Sequence, residues 1–326
     1  MLNFNELILS SKAYNMVSLD ASLGRVSHAY LFVSKDENYL YKFCEYISKL
    51  LINLNEKDNV DKNNLRIEKN IHPDVKIFGL SKTIDSETSS SIVEDAGYSP
   101  FESDKKIFVL FNIQTMNESA QNKILKTIEE PPQNTYFILA GTSEKKLLPT
   151  IISRVKQIKL DEISADNICK LLIDSGIEKN RAEICSHSSI GNASYAEKLA
   201  VDDSFLEFYN QIVSAFFEIN GSRDVLKYSV YFNSKNIDKS EFLNIFMMIA
   251  RDVSMIISKA ENLVINKASI NKLKVVASML KLDSTGEIIK ECLKQKKNLE
   301  FNVNSTSVVD SVLFKLAEVK VKCRRL

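Results

Sequence analysis

The placement of proline constrains the fold of this 326-residue chain more than any other feature. All five prolines, at 73, 100, 131, 132 and 149, fall between His72 and Thr150. From Thr150 to Leu326 there are none, and only four glycines. Proline removes a backbone donor and clashes with the preceding turn, so a long proline-free stretch with helical apolar spacing predicts a nearly all-helical second half. The spacing is present: Phe205, Tyr209, Ile212 and Phe216 form one stripe. Phe242, Ile245, Phe246, Ile249, Val253 and Ile256 form another, with Ser240 as its expected cap. Val308, Val309, Val312, Leu313, Leu316 and Val319 make a terminal one.

Any sheet must therefore lie in the first half. Strand-length apolar runs occur at "HAYLFV" (28–33), "DVKIF" (74–78), "KKIFVLF" (105–111) and "TYFILAG" (135–141). Helical patterns separate the later runs. The clearest is 117–130, where Asn117 can cap, Ala120, Ile124, Leu125 and Ile128 share a face, and Pro131-Pro132 stops the helix. Nearly continuous apolar strands alternating with helices predict a parallel sheet covered on both faces. The polar segment 55–70 reads as a loop or frayed helix end. A helix starting at Ser164 turns Ile168, Leu171 and Leu172 inward and closes at Gly176. The expected plan is an α/β domain (1–162), a small helical lid domain (163–203) and an all-α collar domain (204–326).

Net charge is +1, so contact with nucleic acid would need a local patch or partners. The basic tail "VKVKCRR" reads first as a solvated helix end. The five cysteines, at 44, 169, 185, 292 and 323, include no C-x-x-C pair and do not cluster with His28, His72 or His187. No metal is expected, and scattered thiols suit a reducing compartment. No apolar run reaches the roughly 20 residues of a membrane span, and "MLNFNELILSSK" lacks a signal-peptide plan. A cytoplasmic chain without membrane contact is expected.

Two segments, "AQNKILKTIEEPPQNTYFILAGT" and "LLPTIISR", resemble the core of bacterial clamp-loader subunits with the AAA+ ATPase fold. "SHAYLF" (27–32) and "HPDV" (72–75) fit that family in the right order, so the resemblance covers residues 27–160. It implies an AAA+-like domain followed by lid and collar. The nucleotide machinery of active members has counterparts here that are chemically wrong. Phosphate loops need glycine so that backbone N–H groups can wrap the anion, but no glycine lies between Gly24 and Gly79. Leu40 stands where the phosphate-binding lysine would be, and Phe111-Asn112 replaces the acidic pair that holds magnesium. "SSIGNAS" (188–194) lacks the sensor-helix basic residue.

What the family pattern retains is Ser153-Arg154, followed by Val155 where cysteine is usual. This pattern is similar to the delta-prime type of the DNA polymerase III clamp loader. The resemblance implies no nucleotide cofactor in this chain, with ATP and magnesium bound by neighbouring subunits. It implies Arg154 as an arginine finger acting in trans, supported by Ser153. The implied partners are tau/gamma-type ATPase subunits, a clamp-opening delta subunit, the sliding clamp and primer-template DNA. The family's four-cysteine zinc module is absent, since residues 45–168 contain no cysteine. The alternatives are an active clamp-loader ATPase or a free-standing adaptor. Arg154 could also simply pair with Asp161 or Glu162. Glu129-Glu130 reads as an interface or capping feature, His28 as a core residue, and Thr142 as structural.

Overall fold

The computed structural model describes residues 2–234, 238–300 and 305–324. Contacts group them into two units: the chain up to Ile163 together with Asn192–Ser194, and Ser164–Gly191 with the chain from Tyr195 onward.

The first unit runs α1 (Asn5–Ser10), α2 (Lys12–Ser22), β1 (Ala29–Val33), α3 (Glu37–Ile52), α4 (Val60–Glu68), β2 (Val75–Phe78), α5 (Ser86–Ala96) and β3 (Lys106–Leu110). It continues through α6 (Glu118–Glu129), β4 (Thr135–Gly141), α7 (Pro149–Ile152) and β5 (Lys156–Lys159). The strands form one parallel sheet in the order β2-β3-β4-β1-β5. The central strands are buried along nearly their whole length and mostly apolar because both faces are covered. Leu31, Phe108, Phe137 and Leu139 pack with Ile92 of α5 and Ala120, Ile124 and Ile128 of α6. On α3, the Phe43 ring lies 4.9 Å from that of Phe32. Each such fully buried side chain contributes on the order of 1.5–3 kcal/mol.

The helical caps follow the sequence closely. Asn117 accepts the Ala120 N–H at 2.8 Å, and Ser164 caps the helix after it. Two details differ. Segment 60–68 is the helix α4 and not a loop. It buries Ile67, and its buried Asn63 donates to Asn53 Oδ1 at 3.0 Å, a polar anchor that apolar periodicity cannot register. His28 is only half-buried, so it is not a core residue; its carbonyl accepts the Phe137 N–H.

The second unit contains α8 (Ala165–Asp174), α9 (Lys179–Ser188), most of α10 (Ala193–Val201), α11 (Asp203–Glu218), α12 (Ser222–Ser234) and α13 (Lys239–Ile257). It ends with α14 (Ile270–Met279), α15 (Leu282–Glu300) and α16 (Ser305–Arg324). The predicted aromatic stripes are its core: the Phe216 and Phe246 rings lie 4.3 Å apart. The cap of α13 is Asp238, which accepts the Ser240 N–H at 2.8 Å, so Ser240 is a first-turn residue. The basic tail also departs from expectation. Lys320 is fully buried, and its ammonium donates to the carbonyls of Phe216, Phe217 (3.4 Å) and Ile219 (2.9 Å), satisfying the C-terminal end of α11. Lys322 pairs with Glu318, and Arg324 donates to Asn220. Arg325 lies outside the described residues.

Among the described residues, no helix is long and apolar enough to cross a membrane, and no group of three or more His, Cys, Asp or Glu could hold a metal ion.

Candidate functional site

The conspicuous α6 string explains itself once its polar members are traced. Gln121 is buried on the same face as Ala120 and Ile124. Its amide donates to the Met116 and Lys146 carbonyls at 3.1 and 3.0 Å, and its oxygen accepts the Leu148 N–H at 2.8 Å. One side chain therefore pins the approach to α7. Pro149 then occupies the first position of α7, where its missing N–H costs nothing. Ile151 and Val155 anchor this turn in the core and leave Ser153 and Arg154 on the outside.

The Arg154 guanidinium is one-third exposed. It donates from Nη2 to Glu129 Oε1 at 2.7 Å and from Nη1 to the Thr150 carbonyl at 3.0 Å and Ser153 Oγ at 3.3 Å. Its Nε has no partner among the described residues. The Glu129 hydrogen bond raises the Arg154 pKa, and Arg154 in turn holds the Glu129 carboxyl below its ordinary range. The acid that meets Arg154 is thus the last residue of α6, not Asp161 or Glu162; Glu162 pairs with Lys35 at 2.9 Å. Ser153 Oγ also donates to the Thr150 carbonyl at 3.1 Å. Sequence reasoning missed both Gln121 and Glu129 as supports. A glutamine in phase with an apolar helix face is the signal that could have identified the first.

The second locus is where an active relative would hold nucleotide. Leu40, in the first turn of α3, is buried, as is Phe111 just after β3. The Phe111 ring lies 5.5 Å from that of Tyr41, closing the space between α3 and the sheet. Asn112 adopts a left-handed backbone and donates to the Gly79 carbonyl at 2.8 Å. Gly79 is itself left-handed, and a Cβ there would fall 2.2 Å from the Phe111 carbonyl oxygen. The remaining cavity is about 170 Å³, lined by residues including Glu37, Leu40, Tyr41, Phe111, Asn112 and Thr142. None of its lining residues is cationic. Small-molecule sites typically span ~300–1,000 Å³. The backbone N–H of Thr142 donates to Gln114 Oε1 at 3.2 Å.

The "HPDV" segment has a structural task. Asp74 is fully buried and accepts the N–H groups of Phe101 (2.5 Å), Glu102 and Ser103 (2.9 Å each), fixing the loop before β3. His72 Nδ1 accepts the Asp74 N–H at 3.2 Å, and burial lowers the His72 pKa. The buried thiols are not poised as nucleophiles: burial pushes Cys185 up to about 12 and raises Cys44 as well.

Comparison with known proteins adds what this chain is similar to. Residues 9–164 match the model described as DNA polymerase III, delta subunit. The chain is 25% identical over 316 residues to DNA polymerase III subunit delta' of Bacillus subtilis, covering 94% of each protein. It is 30% identical over 177 residues to DNA polymerase III subunit gamma of Buchnera aphidicola, with 52% of this chain and 48% of that protein covered. The chain thus spans nearly all of the delta' relative but about half the length of the gamma relative. A solved DNA polymerase III gamma subunit-related protein from Thermotoga maritima is 16% identical, with a TM-score of 0.42 over 93% of this chain and 99% of that one. With the expected motifs on the expected elements, this chain is similar to DNA polymerase III subunits over residues 9–164 and to subunit delta' over most of its length.

Proposed function

We propose that this chain is a clamp-loader subunit of delta-prime type that neither binds nor hydrolyses ATP and instead lends Arg154 to a nucleotide held by a neighbouring subunit. The observation that carries the reading is the small, cation-free cavity between the first turn of α3 and the ends of β3 and β4. A triphosphate carries several negative charges and needs either lysine or a glycine-rich run of N–H groups to receive them. A 170 Å³ space lined by Glu37 and two aromatic rings offers neither. Phe111 and Asn112 cannot replace the carboxylates that hold magnesium.

Arg154 suits the trans role by chemistry. Its guanidinium stays charged and presents a planar fork of donors. It stands on the outer side of a turn that Gln121, Ile151 and Val155 anchor. Ser153 supports it through the Nη1 contact. In this reading the partners are tau/gamma-type ATPase subunits carrying ATP and magnesium, a delta subunit, the sliding clamp and primer-template DNA. Residues 1–162 act as a rigid scaffold, 163–203 as a lid and 204–326 as a collar segment.

The test is to assemble the complex with Arg154→Ala and measure DNA-stimulated ATP hydrolysis. Turnover at the served site is expected to fall ~10³-fold or more, the usual worth of such a finger, while assembly is unchanged. In a complex with several ATP sites, total turnover drops by that site's share. Unaltered turnover in an intact mutant complex overturns the finger, and failure of this chain to assemble with ATPase subunits favours a free-standing adaptor.

A further inference from the structure

The parallel sheet of the first unit ends at β2, whose outer side carries no strand among the described residues. Hydrogen-bond parity shows which backbone groups face that side. The Ile107 N–H donates to the Asp74 carbonyl and the Phe111 N–H to the Phe78 carbonyl, both at 2.8 Å. Residues 74, 76 and 78 therefore turn their backbone groups toward β3, and Val75 and Ile77 turn theirs away. The Val75 N–H is taken by the His72 carbonyl at 3.2 Å. That leaves the Val75 carbonyl and both groups of Ile77 along the outer edge.

A groove of about 710 Å³ follows this edge, from the loop 70–73 past β2 to 80–83 and Thr88 at the start of α5. Ile71 near one end and Leu80 near the other are exposed. Two lysines line the groove, and no aspartate or glutamate does. Lys76 is engaged by Asp95 at 2.5 Å, whereas Lys82 is exposed and has no partner among the described residues. Short edge strands carrying lysine are a common defence against stray pairing, and β2 has four residues. Defence alone does not call for an open trough with an apolar side chain at each end and a spare cation beside it.

We propose that the outer edge of β2 takes an extended, acidic peptide segment of a partner protein as an added strand. Peptide N–H groups meet the Val75 and Ile77 carbonyls, and the Ile77 N–H meets a peptide carbonyl. Such main-chain bonds supply affinity, while alternate side chains supply specificity. Here apolar side chains of the peptide rest on Ile71 and Leu80, and a carboxylate meets Lys82. This surface shares no residue with the Arg154 turn and serves whether or not Arg154 acts in trans.

Fluorescence-anisotropy titration of the intact chain with a labelled hexapeptide alternating valine and glutamate tests it. Saturable binding with a dissociation constant of about 10–500 μM is expected. Methylating the central peptide nitrogens removes donors to the edge carbonyls and should weaken binding about tenfold with the protein unaltered. A peptide with lysine in place of glutamate should bind about fivefold more weakly, and Lys82→Glu should abolish or reverse that preference. Ile77→Pro deletes the edge donor, and proline is tolerated on an edge strand where the N–H faces outward. The variant should keep wild-type exchange protection in β3 and bind the peptide about tenfold more weakly. No saturable binding up to about 1 mM peptide overturns the proposal. So does equal affinity for the methylated peptide, unchanged binding by a folded Ile77→Pro variant, or an edge filled by a second copy of this chain.

Discussion

Arg154 is held at present by Glu129, and the strength of that hold decides what the arginine can do. The pair is exposed, and exposed ion pairs contribute little because water solvates both partners well. The guanidinium can therefore exchange Glu129 for a phosphate oxygen at small cost, while Thr150 and Ser153 keep its approach oriented. Lys320 is the opposite case, a buried cation whose pKa is lowered to about 8, chiefly by desolvation and also by Arg324. Because the unfolded chain holds this proton more tightly, the cost of burying the charge is fully present below pH 8. It is relieved as pH rises from 8 toward the ordinary 10.5, so stability from this group increases across that window. The displacement corresponds to about 3 kcal/mol. Urea unfolding of wild type and Lys320→Met across the window should show the difference in stability moving in favour of wild type by about that amount. A difference independent of pH contradicts the assignment. The residue was legible in principle: Lys320 continues the 309, 313, 316 phase of α16, but its charge argued for the surface.

At the scale of elements, legibility followed apolar phase. The strands β1, β3 and β4 and helix α6 were readable because apolar runs, an asparagine cap and a double proline all agreed. Helix α4 was not, since its inward face is one isoleucine and one hydrogen-bonded asparagine. The same blindness hid Gln121, whose three bonds join α6 to the segment before α7. Removing it leaves two carbonyls and one N–H without their partner. Gln121→Ala is therefore expected to lower stability by about 2 kcal/mol by chemical denaturation. It should also reduce ATPase stimulation by the assembled complex less than Arg154→Ala does, because Gln121 acts only by placing the turn. An equal or larger loss of stimulation in a folded variant would show that Gln121 has a more direct part. The proposed loss of a nucleotide locus was read from the residues at Leu40, Phe111 and Asn112. The closing ring of Tyr41 was not, because nothing in sequence order connects residue 41 to residue 111.

For the whole molecule, the proline distribution and the two motif segments foretold a parallel α/β unit followed by helices, and the described residues take that form. Contacts divide the chain into two units at Ile163 and assign Asn192–Ser194 to the first. Within that unit Ser194 donates to Asp36 across 158 residues, a pairing no local pattern could reveal. In the proposed function, this chain keeps the parallel α/β scaffold while neighbouring subunits hold the nucleotide. Calorimetric titration of the isolated chain with ATP and magnesium tests this most directly. The expected result is no saturable binding up to about 1 mM nucleotide, and a dissociation constant in the range of about 1–100 μM would contradict it.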